Sequence, residues 1–124
     1  MEQKVCLDTD VIIAILNNEE RAARIIDKTE NAAIFITTIT LFELLLRKTN
    51  LEIIEMFRNK VSIIDFDEEA ARKASIIFKN LQEQGKIIDI RDIFIAAICV
   101  TTNCMLSTFN SKHFENIKEL EIIP

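Results

Sequence analysis

At 124 residues and 49% hydrophobic, the chain has the length of one domain and enough apolar side chains to fill a single core, too many for disorder. One Gly and one Pro leave no room for a glycine-rich phosphate loop of the Walker or Rossmann kind. A net charge of −5 argues against avid, nonspecific nucleic-acid binding, which rests on Lys and Arg at phosphates, but it is compatible with carboxylates that a bound cation neutralises.

Lys4-Val5-Cys6-Leu7 is a short apolar run that stops at acids, which predicts a buried strand ending at Asp8. Asp8 or Thr9 then caps a helix through Val11 to Leu16, broken by Asn17-Asn18. Glu19 to Thr29 reads as an amphipathic helix, and Ala33 to Thr37, β-branched and aromatic, as a second strand. Helices are expected from Thr40 to Lys48 and from Leu51 to Asn59, with a third strand at Val61–Ile64. A long helix from Asp67 to Gln84 should end on the single glycine, Gly85, in a left-handed cap. Asp89 to Thr101 is again helical, Met105-Leu106-Ser107 is a fourth strand, and Leu120 to Ile123 is a candidate fifth.

Strands alternating with helices imply crossover connections and an α/β fold, with helices on both faces of a mostly parallel sheet of four to five strands. No linker, repeat or low-complexity segment divides residues 1–124, so a single domain is expected. No apolar run approaches the roughly 20 residues of a membrane span. The start, Met-Glu-Gln-Lys-Val, has no signal-peptide pattern, and Cys6, Cys99 and Cys104 lie in apolar segments without CxxC spacing. Buried free thiols in a cytoplasmic protein are the expectation.

In folds of this kind ligands gather outside the carboxyl ends of the strands. Asp8 ends the first strand, Glu43 lies about one turn into the helix after the second, Asp92 falls in the first turn of its helix, and Asn110 follows the fourth strand. Each has a structural explanation when taken alone. Asp8 fits an N-cap, Thr40-Leu41-Phe42-Glu43 fits a capping box, Asp92 suits the positive end of a helix, and Asn110 is a common turn residue. Their shared edge favours a joint role. Oxygen ligands suit hard divalent cations such as Mg²⁺ and Mn²⁺, which polarise phosphodiesters and activate water. A single histidine, His113, excludes schemes that need several and is expected at the surface or a helix end; the Phe and Met side chains show no stacking pattern for single-stranded RNA.

Four segments also resemble the motifs of PIN-domain ribonucleases. They are Val5-Cys6-Leu7-Asp8-Thr9-Asp10-Val11-Ile12-Ile13, Ile39-Thr40-Leu41-Phe42-Glu43-Leu44, Asp92-Ile93-Phe94-Ile95-Ala96-Ala97, and Leu106 through Phe114. Together they span residues 5 to 114, and with the compact length they look most like the VapC-type toxins of VapBC toxin–antitoxin systems. The resemblance implies a three-layer α/β/α domain and Mg²⁺- or Mn²⁺-dependent cleavage of RNA. It also implies a homodimer and a small VapB-like antitoxin. By position, it assigns Asp8, Asp92 and Glu43 as metal ligands, with Asn110 as the fourth catalytic residue, a neutral oxygen where relatives carry Asp or Asn. Ser107 and Thr108 would hydrogen-bond behind the ligands, Asp10 would support the loop after the first strand, and Asp89 would be an extra acid or only a cap.

Three other readings compete. Asp8-Thr9-Asp10 resembles the opening of haloacid-dehalogenase-like phosphatases, but no acidic pair follows Leu106. Asn110 leaves open a catalytically inactive scaffold that binds RNA or a protein. A third is a PIN nuclease of RNA processing that works without an antitoxin.

Overall fold

The computed structural model describes residues 2–123. Four strands, β1 (Lys4–Leu7), β2 (Ala33–Thr37), β3 (Ser62–Ile64) and β4 (Met105–Ser107), form one sheet in the order β3-β2-β1-β4. Every pairing is parallel, with Val5 opposite both Ile34 and Met105, and Ile36 opposite Ile63. Parallel neighbours require crossovers, which are supplied by α1 (Thr9–Leu16), α2 (Glu20–Lys28), α3 (Thr38–Leu45), α4 (Leu51–Arg58), α5 (Glu68–Glu83) and α6 (Ile90–Thr102).

The pleat of β1 divides the interior in two. Val5 and Leu7 face a core with Val11 and Ile12 of α1, Ile25 of α2, Leu44 of α3 and Ile54 of α4. Cys6 faces the opposite core, where Ile77 and Leu81 of α5 meet Ile93, Ala96 and Cys99 of α6. This is the three-layer α/β/α arrangement expected from the sequence. The three cysteines are free and buried, and no helix among the described residues is long and apolar enough to cross a membrane.

Local chemistry sets the boundaries. Asp67 caps α5 by accepting from the Ala70 N–H at 2.9 Å. The helix ends on Gly85 at φ +70°, where the Lys86 N–H returns to the Leu81 carbonyl at 2.9 Å. Two expectations need correction. Helix α3 starts at Thr38 rather than Thr40, because Thr37 is its cap and accepts from the Thr40 N–H at 3.0 Å. The tail forms no full fifth strand. Leu106 makes one isolated parallel bridge to Ile122, held by bonds from the Leu106 N–H to Glu121 (2.8 Å) and from the Ile123 N–H to Leu106 (2.9 Å).

Candidate active site

Asp8 leaves the end of β1 in extended conformation, and its N–H extends the ladder by donating to the Ser107 carbonyl at 2.9 Å. One carboxylate oxygen accepts from the Thr9 N–H (2.9 Å) and the other from the Thr108 hydroxyl (2.8 Å). Asp8 is therefore the cap of α1 and also a fixed acid on the sheet rim, only 7% exposed. Burial pushes its pKa up, against the pull of the bonds from Thr108 and Thr9.

Glu43 does not close a capping box onto Thr40. With Thr37 already capping the helix, the Glu43 side chain crosses to α1, where Oε1 accepts from the Thr9 hydroxyl at 2.9 Å. Its Oε2 lies 3.6 Å from Nη1 of Arg91. Burial raises the Glu43 pKa; the Thr9 bond opposes this, and the nearby charge of Asp8 adds to it.

Asp92 sits in the first turn of α6, behind the cap Asp89, whose carboxylate accepts from the Arg91 N–H at 2.8 Å. Asp89 is exposed, and its pKa is lowered by the backbone and side-chain bonds from Arg91, so it acts as a cap. Asp92 is different. Its pKa is pushed up to about 6, first by burial and then by the charge of Asp8, with Asp89 and Glu43 adding to the rise. His113 Nδ1, at 3.4 Å from Oδ2, pulls the other way. Asp8 raises the pKa of both Glu43 and Asp92, and Glu43 raises that of Asp92, so three acids distant in sequence lie close enough to act on one another's charge.

Asn110 stands beside this cluster. Its exposed Nδ2 donates to Asp10 Oδ2 at 2.9 Å, and the same oxygen accepts from the Phe109 N–H at 3.1 Å. Asp10 thus ties the loop after β4 to α1, rather than supporting the loop after the first strand as the sequence suggested. Its other oxygen, Oδ1, is buried without a hydrogen-bond partner among the described residues, as is the Ser107 hydroxyl. Of the two residues expected to bond behind the ligands, Thr108 does so through its side chain, whereas Ser107 contributes its backbone carbonyl.

The donor set suits a hard, partly hydrated cation. Among the described residues no group of three or more His, Cys, Asp or Glu side chains is arranged to hold a metal ion, but Mg²⁺ keeps several waters and needs only one or two carboxylates. Oxygen donors, repulsion that burial leaves uncompensated, and the orphaned Asp10 Oδ1 all fit such an ion. Sequence reasoning missed Thr9 as the residue that orients Glu43, and Arg91 as the cation beside it. It also expected less of His113, which pairs with Asp92. None of these has a periodic signal; only adjacency to Asp8 and Asp92 pointed to the first two.

A parallel sheet with acids gathered on its carboxyl rim defines a class, and the sequence pattern of the PIN domain matches residues 5–120. The chain belongs to the PIN-domain family. Ribonuclease VapC1 of Methanocaldococcus jannaschii is 29% identical over 95% of this chain and 84% of its own length. Ribonuclease VapC of Rickettsia bellii is 30% identical over 94% and 92% respectively, and the tRNA(fMet)-specific endonuclease VapC of Shigella flexneri is 26% identical over 92% of each. The fold matches the DNA-bound VapBC of Salmonella typhimurium with a TM-score of 0.85 at 27% identity, covering 98% of this chain and 97% of that one. VapBC2 of Rickettsia felis, bound to a promoter fragment, gives 0.85 at 22% identity over 98% of each. Within the family the chain is of the VapC type.

Proposed function

We propose that this chain is an endoribonuclease, the toxin of a type II toxin–antitoxin pair, dependent on Mg²⁺ or Mn²⁺. The observation that carries the reading is the convergence of Asp8, Glu43 and Asp92 on one rim, with Asp92 raised to about 6 by burial and its acidic neighbours. Such a site, with Asp8 buried and Glu43 and Asp92 partly so, binds a divalent cation more readily than it keeps three charges apart.

Asp8, Asp92 and Glu43 would hold the ion, which supplies Lewis acidity at the phosphodiester when bound. Thr108 fixes the Asp8 carboxylate and Thr9 fixes that of Glu43, so both oxygens are oriented before substrate arrives. Arg91, beside Glu43 and half exposed, can offset charge at the open side of the site. Asn110 contributes by holding the rim loop through Asp10.

The relatives named as ribonucleases support RNA as the substrate, and the solved VapBC complexes support a VapB-like antitoxin. Phe42, Leu45, Leu46, Ile53 and Met56 leave an apolar surface on α3 and α4 of the kind that an antitoxin or a second copy in a homodimer covers.

The test is cleavage of a mixed RNA pool by antitoxin-free protein with Mg²⁺ or Mn²⁺, beside EDTA and the Asp8→Asn variant. Cleavage that requires the metal and disappears in folded Asp8→Asn is expected. Folded wild-type protein that leaves RNA intact would favour the inactive scaffold, and full activity in the variant would remove Asp8 from the site.

A further inference from the structure

Beyond the acidic rim lies a cleft of about 520 Å³ between α2 and the loop after β4, lined by Glu20, Arg21, Arg24, Ile25, Phe109 and Ile123 together with Thr108. It begins where the acidic site ends, because Thr108 bonds Asp8 and the Phe109 N–H bonds Asp10. The Arg21 guanidinium lies over the Phe109 ring, 4.1 Å from its centroid, and its Nε also pairs with Glu19 at 3.0 Å. Arg24, one turn further along the same face of α2, is exposed and makes no hydrogen bond or ion pair among the described residues.

In a chain of net charge −5, two arginines beside an apolar floor and next to a carboxylate site form a distinctive arrangement. We propose that this cleft docks the RNA nucleotide flanking the phosphodiester that is cut. Arg24, with Arg21, would take a backbone phosphate, while Ile25, Phe109 and Ile123 receive the base. The Arg21–Phe109 stack presents a flat, cationic face suited to a nucleobase, and it needs no sequence-specific hydrogen bond. The cleft would add a cationic grip on RNA to the acidic site, carried chiefly by Arg24, since Arg21 already pairs with Glu19 and Glu20 lies at the edge.

The inference rests on the nuclease reading only for the identity of the ligand as RNA. Its test is binding of a labelled, mixed-sequence single-stranded RNA, measured by fluorescence anisotropy in the Asp92→Asn background so that no strand is cut. Arg24→Ala alone and with Arg21→Ala is compared with Arg72→Ala plus Lys79→Ala, an equal loss of charge on α5. The cleft variants should weaken binding by about tenfold and lower the salt dependence by about 1.4 in log–log slope for two lost contacts. The α5 control should lose much less.

In the cleavage-competent background the cleft variants should raise KM more than they lower kcat. Cleft variants that bind RNA as tightly as the parent, while the wild type still cuts RNA, would overturn the cleft and keep the nuclease. Loss of antitoxin neutralisation with unchanged RNA binding would also overturn it, because the cleft would then serve a protein. Wild-type protein that binds RNA through the cleft but never cuts it would support the cleft and remove the nuclease. Wild-type protein that neither binds nor cuts would remove both.

Discussion

Replacing Asp92 with Asn keeps the shape of the side chain and removes its charge, and two opposite effects should follow. The folded protein holds the Asp92 proton up to about pH 6, while the unfolded chain releases it near the ordinary value of 3.8. Between those values the folded state binds more protons, so this group's contribution to stability falls as pH rises through the window. Below it the carboxyl is neutral in both states and costs nothing; above it the full penalty applies. A tenfold change in proton affinity is ~1.4 kcal/mol, so the displacement corresponds to about 3 kcal/mol at most. With the side chain 19% exposed, water screens part of that, leaving about 1–2 kcal/mol. Asp92→Asn should therefore be more stable than wild type by that amount at about pH 7.5 without divalent cations, and nearly equal to it at about pH 3, below both values.

Denaturant unfolding at both pH values, with and without Mg²⁺, reads the difference directly. Mg²⁺ at a hundred times its dissociation constant should add about 2.7 kcal/mol to wild type and much less to the variant. The variant should also lose RNA cleavage. Equal stability at the higher pH without metal, or a gap that widens on acidification, would refute the account of a crowded, charge-penalised acid.

Two further substitutions separate positioning from folding. Thr9→Val removes the hydroxyl that holds Glu43 and should reduce cleavage by about tenfold or more, with Thr9→Ser restoring it. An unchanged rate across metal concentrations would show that Glu43 needs no such support. Gly85→Ala should destabilise by about 1 kcal/mol and leave the rate intact, because a Cβ there meets no atom within 4 Å and only the φ of +70° is strained. Thermal unfolding and the RNA assay together check it.

The strands and helices were legible because their apolar runs are short, bounded and well separated, and the acids could be placed because three of them fall at element ends. Glu43 shows where that reasoning stops. Thr37 and Thr40 both suit an N-cap, local pattern cannot choose between them, and the choice of Thr37 frees Glu43 to reach Thr9. Likewise Leu120 to Ile123 has the composition of a strand, but a strand needs a ladder, and the tail meets β4 at one bridge only. Arg91 and the Arg21–Phe109 stack depend on which elements lie side by side. Asn110 follows β4, but its amide bonds Asp10, a partner that sequence spacing alone does not name.

The two cores explain why the acids stay crowded. Leu7, Val11 and Ile12 around Asp8, Leu44 beside Glu43 and Ile93 beside Asp92 are all buried. A backbone anchored beside each acid cannot swing away to relieve repulsion without opening packed apolar surface, and one buried Leu or Ile contributes about 1.5–3 kcal/mol. That is comparable to the penalty at Asp92, so neutralisation by a proton or a cation is easier than rearrangement. The same packing that gives the domain its stability thus keeps the rim acids together, and if the proposed cation binds there, its affinity should rise with pH as Asp92 loses its proton.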